Sequence, residues 1–157
     1  LDWGWNHPLC CGLYGITRDG VYYKIDELFG SKLDERDVIK WIKDRQAEYG
    51  RYFRFINADN ARPEQNQKLR EELGGMIVYE FKPRIVDSIG ILRGIINYDR
   101  LIVNRERCKN TLNEFSTYRY PSEDESGADD PDLPLKVDDD AMDETRYALT
   151  FYETRFF

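Results

Sequence analysis

The sequence is poor in the residues that build disulfide frameworks, zinc sites and histidine-dependent active sites. Its 157 residues include three cysteines and one histidine, His7. No C-x-x-C pair occurs, and neighbouring Cys10 and Cys11 would point to opposite faces of a strand, where they could not easily share one metal ion. The odd cysteine count predicts buried, reduced thiols in an intracellular protein, with neither a disulfide framework nor a zinc site.

Long hydrophobic runs are also missing. No segment approaches the roughly 20 apolar residues that a membrane span needs, and no signal peptide precedes the first strand-like segment. The chain is 41% hydrophobic and 14% aromatic, which suits one compact domain with a single core. It opens on L-D-W-G-W without an initiator methionine, and we therefore expect a domain excised from a longer polypeptide.

The net charge of -7 would by itself argue against a nucleic-acid partner. The acids are concentrated, however: residues 123–140 hold nine of them against one base, a contribution of -8 that leaves about +1 for the remainder. The Pro-, Ser- and acid-rich residues 121–137 are predicted to form an exposed acidic loop. The overall acidity therefore does not exclude a DNA-binding face elsewhere on the domain.

The order of predicted elements indicates an α/β fold. Residues 9–17 and 21–28 are β-rich runs joined by a D-G turn, which predicts an antiparallel hairpin. A helix is predicted to begin after an Asp34 cap and to end at Gly50. The chain then alternates between a strand at 52–58, a helix from Pro63 to Gly74, a strand at 76–81, a helix at 85–98, a short strand at 101–104, a helix at 105–118 and a last helix at 139–152. Such alternation favours a mixed sheet with helices packed on its faces.

Acidic residues stand at the edges of several predicted elements. Asp2 lies in the opening strand, and Asp59 follows the strand at 52–58. Asp139, Asp140 and Asp143 begin the last helix, where offsets of three and four place Asp143 on nearly the same face as the other two. If these elements converge, three or four carboxylates surround one point, and such hard oxygen ligands suit Mg²⁺ or Mn²⁺ better than zinc.

A simpler interpretation of the same residues stays open on spacing alone. Aspartates at a helix start usually act as caps and dipole partners, so Asp138 or Asp139 is expected to cap the last helix. An aspartate after a strand, such as Asp59, is commonly a turn residue. The metal interpretation has one further merit: two ions roughly 4 Å apart can hydrolyse a phosphodiester without a nucleophilic histidine, serine or cysteine.

Five segments, in order over essentially the whole chain, resemble the nuclease domain of tailed-phage large terminase subunits. They are D-W-G-W-N-H-P, I-N-A-D-N-A-R-P, I-V-D-S-I-G-I-L-R-G-I-I, C-K-N-T-L-N-E-F-S-T-Y-R-Y and D-D-A-M-D-E-T-R-Y-A-L. The resemblance implies a single nuclease domain over residues 1–157. Its expected fold is RNase H-like, with a central mixed β-sheet of about five main strands, an N-terminal antiparallel hairpin and flanking helices.

The resemblance also implies an activity and its setting. The expected protein is an Mg²⁺- or Mn²⁺-dependent endonuclease that cuts concatemeric viral double-stranded DNA during genome packaging, by two-metal-ion hydrolysis. Such domains lie C-terminal to an ATPase motor, and no G-x-x-x-x-G-K-[ST] motif occurs in this sequence. The implied partners are double-stranded DNA, the ATPase domain of the same polypeptide, the terminase small subunit and the portal. The implied location is the cytoplasm of the infected bacterial host, transiently docked on the procapsid, with no membrane and no secretion.

Residue by residue, Asp2 matches the first catalytic acid of the family, Asp59 the second and Asp143 the third. Relatives commonly have D-H-A-M-D-A-L-R-Y, so Asp140 stands where a histidine is usual and Glu144 where an alanine is usual. An aspartate can still ligate Mg²⁺ or Mn²⁺. The departure leaves open which neighbouring carboxylate completes the site.

Asp140 ranks above Asp139 as that fourth ligand, because it occupies the family's fourth position. Seven basic residues between Lys82 and Lys109 are candidates for phosphate contacts, although most suit ordinary solvated helix faces. We select Lys82 and Arg84, which directly follow a predicted strand.

Two single residues near the predicted site leave alternatives open. Arg146 could orient the Asp143 carboxylate or form a surface pair of little energetic value. His7 is expected to be a turn residue, with a role as base or ligand as the less favoured alternative.

Two other functions fit the same features. One is another RNase H-like nuclease, such as a junction resolvase, which would prefer branched DNA to plain linear or supercoiled duplex. The other is a non-catalytic module that docks on the portal or the small subunit. Failure to bind Mn²⁺ at millimolar concentration would favour that second function.

Overall fold

The structure is a computed structural model that describes residues 1–122 and 133–157. Residues 123–132 of the predicted acidic loop lie outside this described part. The chain opens with a hairpin of two antiparallel strands, β1 (Leu9–Ile16) and β2 (Tyr22–Gly30), with Ile16 opposite Tyr22. The turn between them places Gly20 at a φ of +78°, a conformation that glycine adopts at little cost. The predicted hairpin is confirmed.

In the described part of the chain, five strands form two hydrogen-bonded groups. β5 (Leu101–Val103) adds to β2 in parallel, so that the first group has the order β1–β2–β5. β3 (Phe55–Ala58) and β4 (Ile77–Glu80) form a second, parallel pair. The predicted number of strands and the mixed pairing are both found, although the strands divide between two sheets.

The first two residues lie between these sheets. Asp2 and Cys10 exchange two backbone hydrogen bonds of 2.8 and 3.1 Å, which makes an antiparallel bridge to β1. The Leu1 amino group donates to the Asn57 carbonyl at 2.8 Å, and the Asp59 N–H donates to the Leu1 carbonyl at 3.0 Å, as in parallel pairing. Leu1 and Asp2 therefore join β1 to β3 and place Asp2 beside the end of β3.

The first helices begin and end where the local sequence predicts. α1 (Glu35–Tyr49) has an Asp34 cap that accepts from the Arg36 N–H, and Asp37 completes the capping box. Gly50 ends α1 in the left-handed conformation, with a φ of 59°. α2 (Pro63–Glu72) has proline in its first turn, as predicted.

Three further helices are α3 (Ile85–Asn97), α4 (Lys109–Thr117) and α5 (Asp140–Phe156). α4 begins four residues later than predicted because the Asn104 side chain accepts from the N–H groups of Glu106 and Arg107, holding a turn there. The buried polar side chains of α4 are Thr111 and Glu114. Leu112 and Phe115 of the same helix are half-buried.

Two apolar clusters pack against the strands. In β1, Leu9 and Cys11 belong to a cluster with α1 and α2. Tyr14 and Ile16, beyond a bulge at Leu13 and Tyr14, pack against a second cluster, built with α3 and α5. The three cysteines are free and buried, as predicted. None of the helices in the described part of the chain combines the length and hydropathy that a membrane crossing requires.

Candidate active site

Asp59 lies buried directly after β3 and is fixed through both carboxylate oxygens. Its Oδ1 accepts from the Ala61 N–H at 3.0 Å, and its Oδ2 accepts from Lys82 Nζ at 2.7 Å. The buried Asn66 donates to the Asp59 carbonyl at 2.9 Å and accepts from the Trp3 indole at 2.8 Å. Asp59 therefore forms the local turn that its position suggests, and its second oxygen also contacts a cation.

Asp143 lies in the first turn of α5, where Arg146 and Tyr147 hold its side chain. Arg146 donates to Asp143 Oδ1, and the Tyr147 hydroxyl donates to Oδ2 at 3.1 Å. Arg146 is only 1% exposed and also donates to the Ser88 hydroxyl on α3 at 2.5 Å. The interpretation of Arg146 as a surface pair is therefore wrong, and its guanidinium orients the Asp143 carboxylate.

The charges of Asp143 and Asp59 both act on the partly buried Asp2. Burial, followed by the charges of Asp143 and Asp59, raises the pKa of Asp2 to about 8. Burial alone would raise the pKa of Asp59, but hydrogen bonds from Lys82 and the Ala61 N–H hold it below its usual value. The three predicted catalytic acids thus share one electrostatic environment.

Lys82 is the cation that interacts with all three of these acids. Burial alone would lower its pKa, but the hydrogen bond and charge of Asp59, with the charges of Asp2 and Asp143, raise it. Its Nζ also lies 5.4 Å from the centre of the Tyr147 ring. Arg84, the other predicted DNA contact, is exposed at the start of α3 and pairs with Asp87 at 2.7 Å. Lys82 is therefore exposed and pairs with one of the acids, Asp59, whereas Arg84 pairs with Asp87 instead.

Asp139 and Asp140 adjoin Asp143 at the start of α5. Burial, followed by the Asp143 charge, raises the pKa of Asp139. Burial, followed by the Asp139 charge, raises that of Asp140, against an opposing effect of His7. His7 itself is exposed in a bend of the chain, which agrees with the predicted turn position. Both candidate fourth ligands remain near the site.

In residues 1–122 and 133–157, no three histidine, cysteine or acidic side chains are already arranged to hold a metal ion. The acids instead pair with cations of the protein, Asp59 with Lys82 and Asp143 with Arg146. Like charges repel one another unless a cation lies between them, which explains why the carboxylates turn to these partners. All of the donors are carboxylate oxygens, and this chemistry fits a hard divalent cation.

The start of α5 is capped from another helix. Of the two predicted caps, Asp138 and Asp139, the second occupies the N-cap position, but its side chain makes no capping bond within the described residues. Glu114 of α4 instead accepts from the Met142 N–H at 2.8 Å. Burial raises the pKa of Glu114 to about 7, against the opposing effect of hydrogen bonds from Met142 and Ala141. No local sequence signal identifies this cap, because it comes from a different helix.

Replacing Glu114 with alanine should lower the free energy of unfolding by about 1–3 kcal/mol, because a buried N–H loses its acceptor at a helix start. Glu114→Gln keeps a carbonyl acceptor and should lose less. Urea unfolding measures both, with Glu106→Ala as an exposed control. A loss in Glu114→Ala no larger than in the control would contradict the capping role.

Glu144, the second departure from the family pattern, lies in a buried polar cluster. Its Oε2 accepts from Lys24 Nζ and from the Tyr14 hydroxyl, each at 2.8 Å. Lys24 also donates to the Thr145 hydroxyl at 2.9 Å. The sequence carries only a weak signal of this cluster. Lys24 follows Tyr22 by two positions in β2, so both side chains lie on the same face of the strand, which is the face towards the core.

The fold is shared with large terminases of bacteriophages. The chain aligns over 99% of its length with the large terminase of a thermophilic bacteriophage, with a TM-score of 0.77 and 25% identity, and covers 39% of that longer protein. It aligns over 98% of its length with the large terminase nuclease domain of bacteriophage SPP1, a structure with bound Mn, covering 82% of that domain with a TM-score of 0.74 and 23% identity.

The nuclease domain of the P22 large terminase is a third similar structure. It aligns with 99% of this chain, which covers 79% of it, with a TM-score of 0.72 and 19% identity. No protein-family model and no curated protein matches the sequence. The fold class inferred from the sequence is therefore confirmed by structural similarity.

Proposed function

We propose that this chain is the nuclease domain of a tailed-bacteriophage large terminase, and that it cuts concatemeric viral double-stranded DNA during packaging. One observation carries the proposal: contacts link the three acids, which come from separate parts of the chain. The Asp59 N–H binds the Leu1 carbonyl next to Asp2, and Lys82, which pairs with Asp59, lies over the ring of Tyr147, whose hydroxyl binds Asp143. The fold is that of terminase nuclease domains, one of which has bound Mn. The cofactor proposed here is accordingly Mn²⁺ or Mg²⁺.

Asp2, Asp59 and Asp143, completed by Asp140, would hold two such ions, with Asp139 as the alternative fourth ligand. When bound, the ions would polarise the phosphodiester and lower the pKa of an attacking water. Hard cations of this size prefer the carboxylate oxygens that all of these residues supply.

The protein's own contribution is to hold these carboxylates in place. The Ala61 N–H fixes one oxygen of Asp59. The buried Arg146 and the Tyr147 hydroxyl orient Asp143. Asp2, with its raised pKa, must give up a proton before it can act as an anionic ligand.

Lys82 and Arg84 would contact DNA phosphates on either side of the acids. Lys82 is paired with Asp59, so a cation at Asp59 would release its ammonium for a phosphate oxygen. The proposed setting is the cytoplasm of an infected bacterium. There the domain would act with the ATPase domain of the same polypeptide, the terminase small subunit and the portal.

Plasmid cleavage with Mn²⁺, Mg²⁺ or EDTA tests this function. Asp59→Asn and Asp143→Asn should each lower metal-dependent cleavage by at least about 100-fold, since removing a ligand forfeits several kcal/mol of transition-state stabilisation. Asp44→Asn is a matched control, because Asp44 is an exposed aspartate paired with a lysine on α1. Equal cleavage by all variants would reject these acids and indicate a contaminating nuclease.

A non-catalytic docking module is the second candidate function. It is favoured by the pairing of the acids with Lys82 and Arg146, which neutralises them without a metal ion. Calorimetric titration with Mn²⁺ separates the two functions. A nuclease domain should bind Mn²⁺ and lose this binding in Asp59→Asn, whereas a docking module should show no binding at millimolar concentration.

A further inference from the structure

Residues 3–8 form a closed loop, the rim loop, that connects Asp2 to β1. The backbones of Asp2 and Cys10 exchange hydrogen bonds of 2.8 and 3.1 Å, which close the rim loop at its base. The rim loop contains most of the D-W-G-W-N-H-P segment, of which the proposed function uses only Asp2. Because Asp2 is the first proposed metal ligand, the rim loop begins at the candidate site itself.

The rim loop lies at the end of the sheets where the acids are. It leads into the start of β1, and Asp59, which follows the end of β3, donates its N–H to the carbonyl of Leu1 at 3.0 Å. Burial, followed by the charge of Asp139, raises the pKa of Asp140, and the charge of His7 in the rim loop opposes this rise. The rim loop therefore lies beside both the end of β3 and the start of α5, along one border of the candidate site.

Backbone and side-chain contacts hold the rim loop in one shape. A Cβ atom at Gly4 would lie 2.3 Å from the Pro8 carbonyl oxygen, so the two arms of the loop touch where only glycine fits. The Trp3 indole donates to Asn66 Oδ1 at 2.8 Å, and Asn66 also donates to the Asp59 carbonyl at 2.9 Å. The rim loop and the Asp59 turn therefore share one anchor, and a loop fixed in this way loses little entropy when it binds a partner.

Trp5 stands in this anchored loop with its side chain outside the core. It is 51% exposed, whereas the other two tryptophans, Trp3 and Trp41, pack against the first apolar cluster. The Trp5 carbonyl accepts from the Lys32 N–H at 3.1 Å, so its backbone is fixed while its ring is open to solvent. The neighbouring residues 6–7 are exposed as well. A fixed backbone that carries an open aromatic ring is typical of a binding contact.

DNA is the partner that this surface fits. Every base has a flat π face on which an indole can stack, whatever the base sequence. The exposed amide of Asn6, imidazole of His7 and ammonium of Lys32 add hydrogen-bond donors for sugars and phosphates. A strand whose phosphodiester lies at Asp59 and Asp140 also has to pass the rim loop, because the loop borders these acids.

We propose that Trp5 is a DNA-binding residue, whose indole packs against a base and sugar beside the scissile phosphate and thereby holds the strand over the acids. This inference rests on the proposed nuclease function and adds to it a contact without charge. Lys82 and Arg84 would bind phosphates, whereas Trp5 would contact the uncharged part of the strand. The indole offers only an N–H donor and no lone pair, so Mn²⁺ binding does not depend on it.

Fluorescence anisotropy of a labelled linear duplex tests the proposal, with Ca²⁺ in place of Mn²⁺ and a gel to verify that the duplex stays intact. Trp5→Ala should raise the Kd for DNA by about tenfold, since loss of one stacked aromatic ring has an effect of this order. Trp5→Phe keeps a ring and should restore most of the affinity. Tyr98→Ala is the matched control, because Tyr98 is 79% exposed at the far end of α3, and it should leave the Kd unchanged.

Two further measurements distinguish stacking from charge and from structural support. The dependence of log Kd on log salt concentration should have the same slope in Trp5→Ala as in the wild type, whereas Lys82→Gln should reduce the slope by about 1. Calorimetry should give the same Mn²⁺ affinity for Trp5→Ala and the wild type. The hydrogen bond from Lys32 uses the carbonyl of residue 5, which alanine retains.

Three results would overturn the proposal. A Kd for Trp5→Ala equal to that for Tyr98→Ala would show that the indole does not contact DNA. Loss of Mn²⁺ binding in Trp5→Ala would instead show that Trp5 supports Asp2 structurally, and both of these results would leave the nuclease function standing. A wild-type domain that binds neither Mn²⁺ nor DNA would reject the nuclease function itself and, with it, this contact.

Discussion

Replacing Glu144 with alanine is expected to lower the free energy of unfolding by about 3–5 kcal/mol, because the substitution leaves the buried ammonium of Lys24 without its counter-charge. Lys24 is 1% exposed and lies 2.8 Å from Glu144. Burial alone would raise the pKa of Glu144, but the charge of Lys24, with that of the Leu1 amino group, holds it below its usual value. After the substitution, the Thr145 hydroxyl is the one hydrogen-bond acceptor left to the Lys24 ammonium among the residues that the structure describes.

The double variant Lys24→Met with Glu144→Leu separates the cost of an unpaired charge from the value of the ion pair. Removing both charges together should restore most of the lost stability, since apolar side chains of similar volume often replace a buried pair without loss. Urea unfolding of the single and double variants gives the coupling energy. Glu72→Ala, which removes an exposed partner of Lys43, should cost less than about 1 kcal/mol. If Glu144→Ala also lost less than about 1 kcal/mol, that result would contradict the buried ion pair between Lys24 and Glu144.

The affinity for Mn²⁺ is expected to increase by up to about tenfold per pH unit from about pH 6 to about pH 8, because Asp2 must lose a proton to become a ligand. Its pKa is raised to about 8 by burial, followed by the charges of Asp143 and Asp59. Isothermal titration in buffers of different ionisation enthalpy measures both the affinity and the proton release. Asp2→Asn should abolish the share of the pH dependence that comes from Asp2, and an unchanged dependence in that variant would contradict the assignment.

The free energy of unfolding of the metal-free domain should decrease as the pH rises, whereas the affinity for Mn²⁺ should increase. Burial, followed by the charges of Asp143 and Asp59, raises the pKa of Asp2 from 3.8 to about 8 on folding, so the folded state holds the extra proton between these values. Its contribution to stability is therefore fully present below about pH 4 and is lost as the pH rises to about 8. Glu114, with a pKa raised to about 7, acts in the same direction.

Thermal unfolding with and without Mn²⁺ compares these two effects directly. The increase in Tm caused by Mn²⁺ should be larger at pH 8 than at pH 6. An increase of the same size at both values would show that Mn²⁺ binding does not require deprotonation in this range.

The helix ends show how much of the fold can be predicted locally. Asp34, Asp37 and Gly50 act on backbone groups within a few residues, so the sequence pattern was sufficient to locate α1. The hairpin was predicted for the same reason, since its turn connects adjacent strands. α4 was misplaced because the Asn104 turn competes with the first helical turn, and the propensity of residues 105–108 does not reveal that competition.

In the candidate site as well, the sequence predicted some features and the packing of distant elements decided the others. The identities of Asp2, Asp59 and Asp143 came from sequence motifs, and Lys82 was selected because it follows a strand. Orientation of Asp143 by Arg146 was one of two alternatives that the sequence left open. The cap from Glu114 and the contact of Arg146 with Ser88 were not predicted, since these contacts join different helices. Burial, which decides whether Arg146 is a surface pair or a positioning group, is likewise a property of the packed helices.

The sequence by itself determined the element types, the caps of α1 and the chemical nature of the donors, because these depend on residues close together in the chain. Only the tertiary structure decided that the Leu1–Asp2 segment lies between β1 and β3, and that Lys82 interacts with three acids at once. It also decided that Lys24 donates a hydrogen bond to Glu144, which lies 120 positions away in the sequence. Contacts of this kind depend on the packing of distant elements, and no local pattern encodes which distant side chain will satisfy a buried charge.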